Sequence, residues 1–508
     1  MDRPFILPVL AAVLALASAA PAHATWSIVV IDQATGEVGV GGATCVNNID
    51  LKRFLPAVRV GVGAGVTQAF VNNTASNKMI IFDELANGTP PATILSMIQA
   101  ADNGFQSRQI GIVDMAGQKV TFTGNNAMQW KGGLTGSDGT LHYAIQGNVL
   151  TAEVVIKRAE LALRQTGGDL ADKLLAAMIA AKNFGGDGRC SCSPQQPTNC
   201  GAPPPGTWKS AHIGFLLIAR MGDVDGVCTG ALGCGNGSYW LDLNVEGNQF
   251  VNPDAVDQLE GLFGTWRHSW IGRPDHLRTT VSSSPAVLPS DGASQGVITI
   301  VPRDWTGAAL NQPGMTVTAV AEPGSAGGVT LGAVVDQGNG AYTVPYTATT
   351  TGGVDRVRLT IDDGQGPVTL WPPVELATAP TSFLTATPSV SASLGDDVAL
   401  SFAGGPGLAG RGYVALFSAS GTQPGFSVGA VNVPLVLDPL VPISFAACGT
   451  GPLPGTCGQL DAAGAAAGAV VLNPNDLGPL VGGALHVAAI TLDPIDFASD
   501  AATVNVTP

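Results

Sequence analysis

Short apolar runs, cut off by Gly, Pro, Asn or Asp before they can grow into long helices, leave this chain little choice but β structure over most of its length. "WSIVVID" is followed by the turn "QATGE" and by a second run, "VGVGGATC"; "AVRVGVGAGVTQAF" is a further apolar, Gly-dotted stretch. "RQIGIVD" and "QKVTFTG", joined by "MAG", have the pattern of a β-hairpin, and "LHYAIQG", "AHIGFLLIAR" and "YWLDLNV" read as strands. Gly (67) and Pro (35) are abundant and charged residues make up only 12%, so Glu and Lys are too sparse for a coiled coil.

The spacing turns helical in a few places. Met79, Ile80, Phe82 and Leu85 predict a helix over 76–88 that Gly88 ends, and Pro90 and Pro91 open another running through Ala101. Residues 151–183 carry two Ala/Leu-rich helices interrupted by Gly167 and Gly168, and a last helix is expected near 253–263. Strands in two groups with helices between them point to an α+β layered sandwich.

The first 24 residues have a different texture. Arg3 precedes the apolar "FILPVLAAVLALASAA", and "AHA" supplies small residues flanking a cleavage point, the pattern of a secretory signal peptide over 1–24. No other stretch approaches the roughly 18–20 apolar residues needed to span a bilayer, so the mature chain is expected to lack a transmembrane segment and to be secreted, extracellular or periplasmic. A net charge of −15 with no Lys/Arg-rich run argues against a nucleic-acid partner.

A length of 508 residues suggests roughly three domains. "RTTVSSSPAVLPS" and "ELATAPTSF" read as linkers and give blocks at 25–277, 279–378 and 380–508. The second and third are strand and turn throughout and are expected to be two all-β sandwich domains. An exported chain can keep disulfides. Cys228 and Cys234 flank one short loop, and Cys448 and Cys457 another. Cys190 and Cys192 are too close to pair comfortably with each other, so one is expected to bond Cys200 and the other Cys45. "CSCSPQQPTNC" has neither a C-x-x-C unit nor a flanking His, so no metal and no cofactor is expected there.

Cleavage after Ala24 would make Thr25 the first residue. An internal threonine has no group to take its proton, whereas an N-terminal one carries an amine with a reference pKa near 7.7–8.0 that can serve, directly or through a water, as base for its own hydroxyl. "TWSIVVIDQATGEVGVGGAT", "GVTQAFVNN", "RQIGIVDMAGQKVTFTG", "YAIQGNVLT", "FGGDGRC" and "SAHIGFLLIAR" occur in that order. Together they resemble the bacterial domain-of-unknown-function family 1028, placed in the Ntn-hydrolase superfamily, over residues 25–265. The resemblance implies an αββα sandwich with Thr25 as the nucleophile on the first strand, between two sheets; the logic of an N-terminal nucleophile adds the expectation that it acts on an amide bond in a small molecule or peptide.

On the matching motifs, Asn148 is either the oxyanion donor or a turn residue that follows a strand. Gln68 and Asn72 are amides that either orient substrate or satisfy loop backbone. Thr44 stands where relatives usually carry Ser, and Asp187 and Arg189 either pair to shape the cleft or bind a substrate carboxylate. His142 and His212 sit beside apolar strand positions and read as packed. The insert "CSCSPQQPTNCGAPPPGTW" and the stretch "NNIDLKRFLP" depart from the family pattern near the expected cleft. "DQGNGAYTVPY" resembles bacterial immunoglobulin-like domains of the invasin or filamin type over 279–378, which implies spacer or adhesion modules and cell-surface or matrix contacts. The third block is similar to small β modules at the C-termini of other exported bacterial proteins. The competing expectation is a non-catalytic surface scaffold that retains the N-terminal fold.

Overall fold

The computed structural model describes residues 25–70, 75–246, 253–323, 328–429 and 431–508; the leader expected over 1–24 lies outside them. The chain separates into two compact units, the first ending at His268 and the second spanning Ser269–Pro508.

In the first unit, β1 (Thr25–Asp32) and β2 (Glu37–Thr44) form a hairpin. A single turn of helix, α1 (Leu51–Phe54), leads into a second hairpin, β3 (Pro56–Arg59) and β4 (Gly63–Ala69). That hairpin divides what reads in sequence as one apolar run, because Gly61 takes a positive φ of 66° and turns the chain. The helices α2 (Ser76–Ala86) and α3 (Pro91–Ala101) come next, followed by β5 (Arg108–Asp114), β6 (Lys119–Thr123), β7 (Lys131–Asp138) and β8 (Leu141–Asn148). The unit continues through α4 (Val154–Gln165), α5 (Leu170–Asn183), the short α6 (Gly188–Ser191), β9 (Ile213–Ala219), β10 (Leu241–Val245) and α7 (Ala255–Ser269).

Two antiparallel sheets result, one ordered β10-β9-β2-β1-β8-β7 and the other β3-β4-β5-β6. The sheets face each other through β1, β2 and β8 on one side and β4 and β5 on the other; α4 and α5 cover the larger sheet, and α2 and α3 the smaller. Side chains alternate across a strand, so β1 serves two interiors. Val29 and Ile31 enter the core between the sheets with Val38, Val40, Val66 and Val113. Ile28 and Val30 are equally buried on the opposite face. On β2, a Cβ at Gly39 would lie 3.0 Å from Val30 and 3.2 Å from Leu174 of α5, so the glycine lets that helix approach.

Two sequence expectations change. The last helix runs to Ser269 rather than stopping near 263, because Leu259, Phe263 and Arg267 continue its buried stripe. The edge strand β7 was not expected from "KGGLTGSD": one side of an edge strand is unpaired, and this one is mostly exposed, so it needs no apolar alternation.

The second unit is β-rich. Its first part has two five-stranded sheets around Ile298, Ile300, Tyr342, Val344, Leu359 and Ile361. Its last part has sheets of three and five strands and a two-stranded ribbon, around Phe383, Phe402, Tyr413 and Val487. It also contains a helix, Leu440–Ala446, that the strand-and-turn reading missed. Pro442 masks it in sequence, yet sits in the first turn, where no intrahelical N–H bond is lost. The Asp438 carboxylate accepts from the Leu440 backbone N–H at 2.9 Å at that end.

Candidate active site

The alternation that sends Val29 and Ile31 between the sheets sends Ser27 and Thr25 there too. The interior therefore changes from apolar to polar toward the start of β1. Register places Thr25 opposite Asn148 on β8, and Trp26 opposite Ala43 on β2, which sets Thr44 beside Thr25 on the other flank. Asn148, Thr25 and Thr44 thus form a row on one face of three neighbouring strands.

The Thr25 backbone N–H donates to Asn148 Oδ1 at 3.2 Å. Since that nitrogen is a donor, the amide of Asn148 must present its oxygen to it, leaving Nδ2 turned elsewhere. Thr25 Oγ1 and Asn148 Nδ2 are both buried and have no hydrogen-bond partner among the described residues, with each residue only 1% exposed. Two unmet polar atoms in a buried place are costly, on the order of 1–3 kcal/mol each. Immediately after Asn148, Val149 holds a φ of 54°, a rare conformation for a β-branched residue; its carbonyl accepts from Gly188 N–H at 2.8 Å.

Gln68 is fully buried and does not face outward. Its Nε2 donates to the Thr25 carbonyl at 2.9 Å and to Gln109 Oε1 at 2.7 Å, and its Oε1 accepts from Ser27 Oγ at 2.6 Å. Gln146 Nε2 donates to Ser27 Oγ at 2.7 Å, while Gln109 Nε2 reaches the Gly147 carbonyl at 2.9 Å and Thr123 Oγ1 at 2.9 Å. Ser27, Gln68, Gln109 and Gln146 are therefore one tier of side chains tying the two sheets together beneath Thr25. Sequence reasoning found only Gln68 of the three glutamines; the signal was a lone Gln inside each of "GVTQAF", "RQIGIV" and "YAIQGN".

Asp187 and Arg189 come to the Thr44 end of the row. Asp187 is fully buried and caps α6; its carboxylate accepts from Cys45 N at 2.7 Å, Arg189 N at 3.0 Å and Arg189 Nη2 at 2.7 Å. Arg189 Nη2 also donates to Thr44 Oγ1 at 3.2 Å. The pair thereby fastens the 187–190 turn to the end of β2, and the Cys45–Cys190 disulfide fastens it a second time. Cys228–Cys234 and Cys448–Cys457 pair as their short loops suggest, and Cys192–Cys200 settles which of Cys190 and Cys192 bonds Cys200, a choice the sequence leaves open. Asn72 lies outside the described residues.

Potential metal-ligating atoms of Cys45, Cys190 and His212 lie within 4.8 Å of one another, but the two sulfurs are bonded together and offer no thiolate. Burial, with Lys209 nearby, holds the His212 imidazole below its ordinary pKa, which suits a packed histidine. His142 is distant from the row, its ring bridging Ser137 Oγ and Gln33 Oε1 at 2.9 Å each.

Residues 25–195 match the family described as "Family of unknown function (DUF1028)". The match begins at Thr25 itself. Residues 275–370 match the family described as "Invasin, domain 3". The protein thus joins a DUF1028-like N-terminal region to a β-rich region with an invasin-like domain. A Silicibacter pomeroyi protein of the DUF1028 family, known by crystal structure, is 18% identical, with 48% of this chain and 88% of that one covered and a TM-score of 0.36. The Yersinia pseudotuberculosis adhesin InvE is 18% identical over 45% of this chain and 59% of that one, at a TM-score of 0.18. The Escherichia coli adhesin FdeC is 11% identical over 95% and 97%, at 0.23. No protein of curated function matches the sequence. Among the described residues, no helix is long and apolar enough to cross a membrane.

Proposed function

We propose that the DUF1028-like region is an N-terminal-nucleophile amidohydrolase, exported and activated by removal of residues 1–24. The observation that carries this reading is the Thr25–Asn148 pair: one amide oxygen holds the Thr25 nitrogen, while the hydroxyl and the amide nitrogen beside it are left buried without partners. The helix–sheet–sheet–helix layering, with Thr25 at the start of β1, supports an Ntn-type fold.

In the mature protein the Thr25 nitrogen would be an amine. One of its N–H bonds would point at Asn148 Oδ1, leaving the lone pair to take the proton from Oγ1, directly or through a water. Oγ1 would form a bond to the substrate carbonyl carbon, and Asn148 Nδ2 would donate to the developing oxyanion. Collapse of the tetrahedral intermediate would break the C–N bond, with the α-ammonium returning its proton to the leaving amine. Water would then hydrolyse the ester on Thr25. Gln68 would act as a positioning residue through the Thr25 carbonyl, and Asp187 and Arg189 would set the wall of the cleft. The substrate class is a small amide or peptide.

Intact mass and N-terminal sequencing of the exported protein test the first requirement: the chain should begin at Thr25, and any other start overturns the mechanism. A β-lactone, which acylates nucleophilic hydroxyls, should add to the mature protein and leave no adduct on Thr25→Ala. A persisting adduct would place the nucleophile elsewhere.

The invasin-domain match favours a second role for the same chain, attachment at a cell surface or matrix through residues 269–508. If Thr25 is first and yet inert to acylation, a non-catalytic scaffold becomes the better reading of the whole. Surface binding should then survive Thr25→Ala unchanged.

A further inference from the structure

We propose that the last β module holds a preformed binding pocket for an uncharged, apolar small molecule, independent of the Thr25 site. A cavity of about 450 Å³ opens beside the helix Leu440–Ala446. Its inner side is the module's own core, where Phe417 and Leu485 are buried. Around the opening stand Ile443 of the helix, Leu453 of the following loop, and Leu477 and Leu480 of the segment before the strand Ala484–Leu492. Ile443 is 57% exposed and Val471, also lining the pocket, is 41% exposed, so the apolar surface continues to the mouth.

Three features define the occupant. The first is size: this volume fits a small ligand, whereas a stable protein partner needs roughly 800 Å² of matching surface on each side. The second is chemistry. The polar side chains in the lining are already engaged: Ser444 Oγ donates to the Val441 carbonyl at 2.9 Å and accepts from Phe417 N–H at 3.1 Å. The exposed Asp476 accepts from Asn473 N–H at 2.8 Å. Among the described residues no cationic side chain lines the cavity, and Asp476 would repel an anionic head group. A carboxylate or phosphate ligand is thus disfavoured, and an uncharged aliphatic or aromatic body is left. The third is rigidity: Pro452 and Leu453 lie on the loop that Cys448–Cys457 closes, and Ala447 joins that loop to the end of the helix. A wall held in place before binding keeps the ordering cost low.

The test uses the full exported chain and N-phenyl-1-naphthylamine, an uncharged apolar fluorophore. Titration should give a saturable fluorescence rise with one site per chain. Val471→Asp places a charge at the mouth on an already exposed position and should weaken binding at least tenfold; Ala447→Phe fills the cavity and should do the same. Val320→Asp, an exposed apolar residue outside the lining, should leave affinity within twofold. An anionic analogue bearing a sulfonate should bind at least tenfold more weakly than the neutral probe. The absence of a saturable signal, or affinity within twofold of wild type in Val471→Asp with an unchanged thermal transition, would overturn the proposal. Because the site is read from the second unit alone, Thr25→Ala should bind the probe as wild type does whatever becomes of the hydrolase reading.

Discussion

Asn148 carries two duties in a few atoms, and they can be separated. Asn148→Asp keeps the oxygen that holds the Thr25 nitrogen but removes the Nδ2 donor. Acylation by a β-lactone at pH 8 should fall about 10²–10³-fold, the usual cost of losing one oxyanion donor. The new carboxylate also stabilises the Thr25 ammonium, so the pH at which acylation rises should move upward; an unchanged profile would mean that the amine is not the base. Gln68 makes a different prediction. Both of its amide atoms are used in the buried tier, so Gln68→Met removes at once the acceptor of the Ser27 hydroxyl hydrogen and a donor to Gln109 Oε1 and to the Thr25 carbonyl, while Gln146 still donates to Ser27 Oγ. Denaturant unfolding should show a loss of roughly 3 kcal/mol or more, at about 1–3 kcal/mol for each of the three groups that lose a partner. Thr25 and Asn148 were legible in the sequence because their motifs carry a family resemblance. Gln109 and Gln146 were not: a single Gln in an apolar strand has no spacing signature, and only the register that stacks it against Ser27 gives it meaning.

At the scale of elements, periodicity carried most of the first unit. The helices α2 to α5 and the β5–β6 hairpin follow from apolar spacing and from the glycines and prolines at their ends. The edge strand β7 and the turn α6 were invisible, since a solvated edge needs no apolar pattern and a four-residue helix has no period. One helix also carries a titration. Lys78 on α2 is buried at the end of α1, its Nζ donating to the Arg53 carbonyl. Burial and the nearby Arg53 charge push its pKa down from 10.5 to about 8, with Asp50 opposing. Between those values the unfolded chain holds the Lys78 proton and the folded chain does not, so stability rises with pH through the window and the charged lysine is a liability below it. Lys78→Met should therefore be more stable than wild type near pH 7, and the difference should shrink by on the order of 3 kcal/mol as pH rises from about 8 to 10.5. Paired denaturant curves at pH 7, 9 and 10.5 measure it; a constant difference would show that Lys78 keeps its proton when folded.

Across the whole molecule, chain connectivity and disulfides divide along the same line. The break between units falls after His268, just short of the Ser/Thr/Pro-rich stretch beginning at Arg278, which reads as a linker in sequence but forms the strands Thr280–Ser284 and Val287–Pro289 of the second unit. Cys45–Cys190 spans 145 residues within the first unit, while Cys448–Cys457 spans nine within the second. Closing the longer loop restrains the unfolded chain more, by roughly 5 kcal/mol against about 2.5 kcal/mol on loop-entropy grounds. If the units unfold separately, a calorimetric scan of the mature chain should resolve two transitions. Cys45→Ser/Cys190→Ser should lower one of them markedly and leave the other in place. Cys448→Ser/Cys457→Ser should do the reverse by a smaller amount. The first pair has a further consequence, because the disulfide fastens the Asp187–Arg189 turn beside Thr44 while Asn148 and Gln68 hold Thr25 without it. Acylation of Thr25 should therefore persist in Cys45→Ser/Cys190→Ser below its lowered transition, with substrate selectivity relaxed rather than activity abolished. Complete loss of the adduct in a protein that is still folded would instead make the turn part of the reacting site.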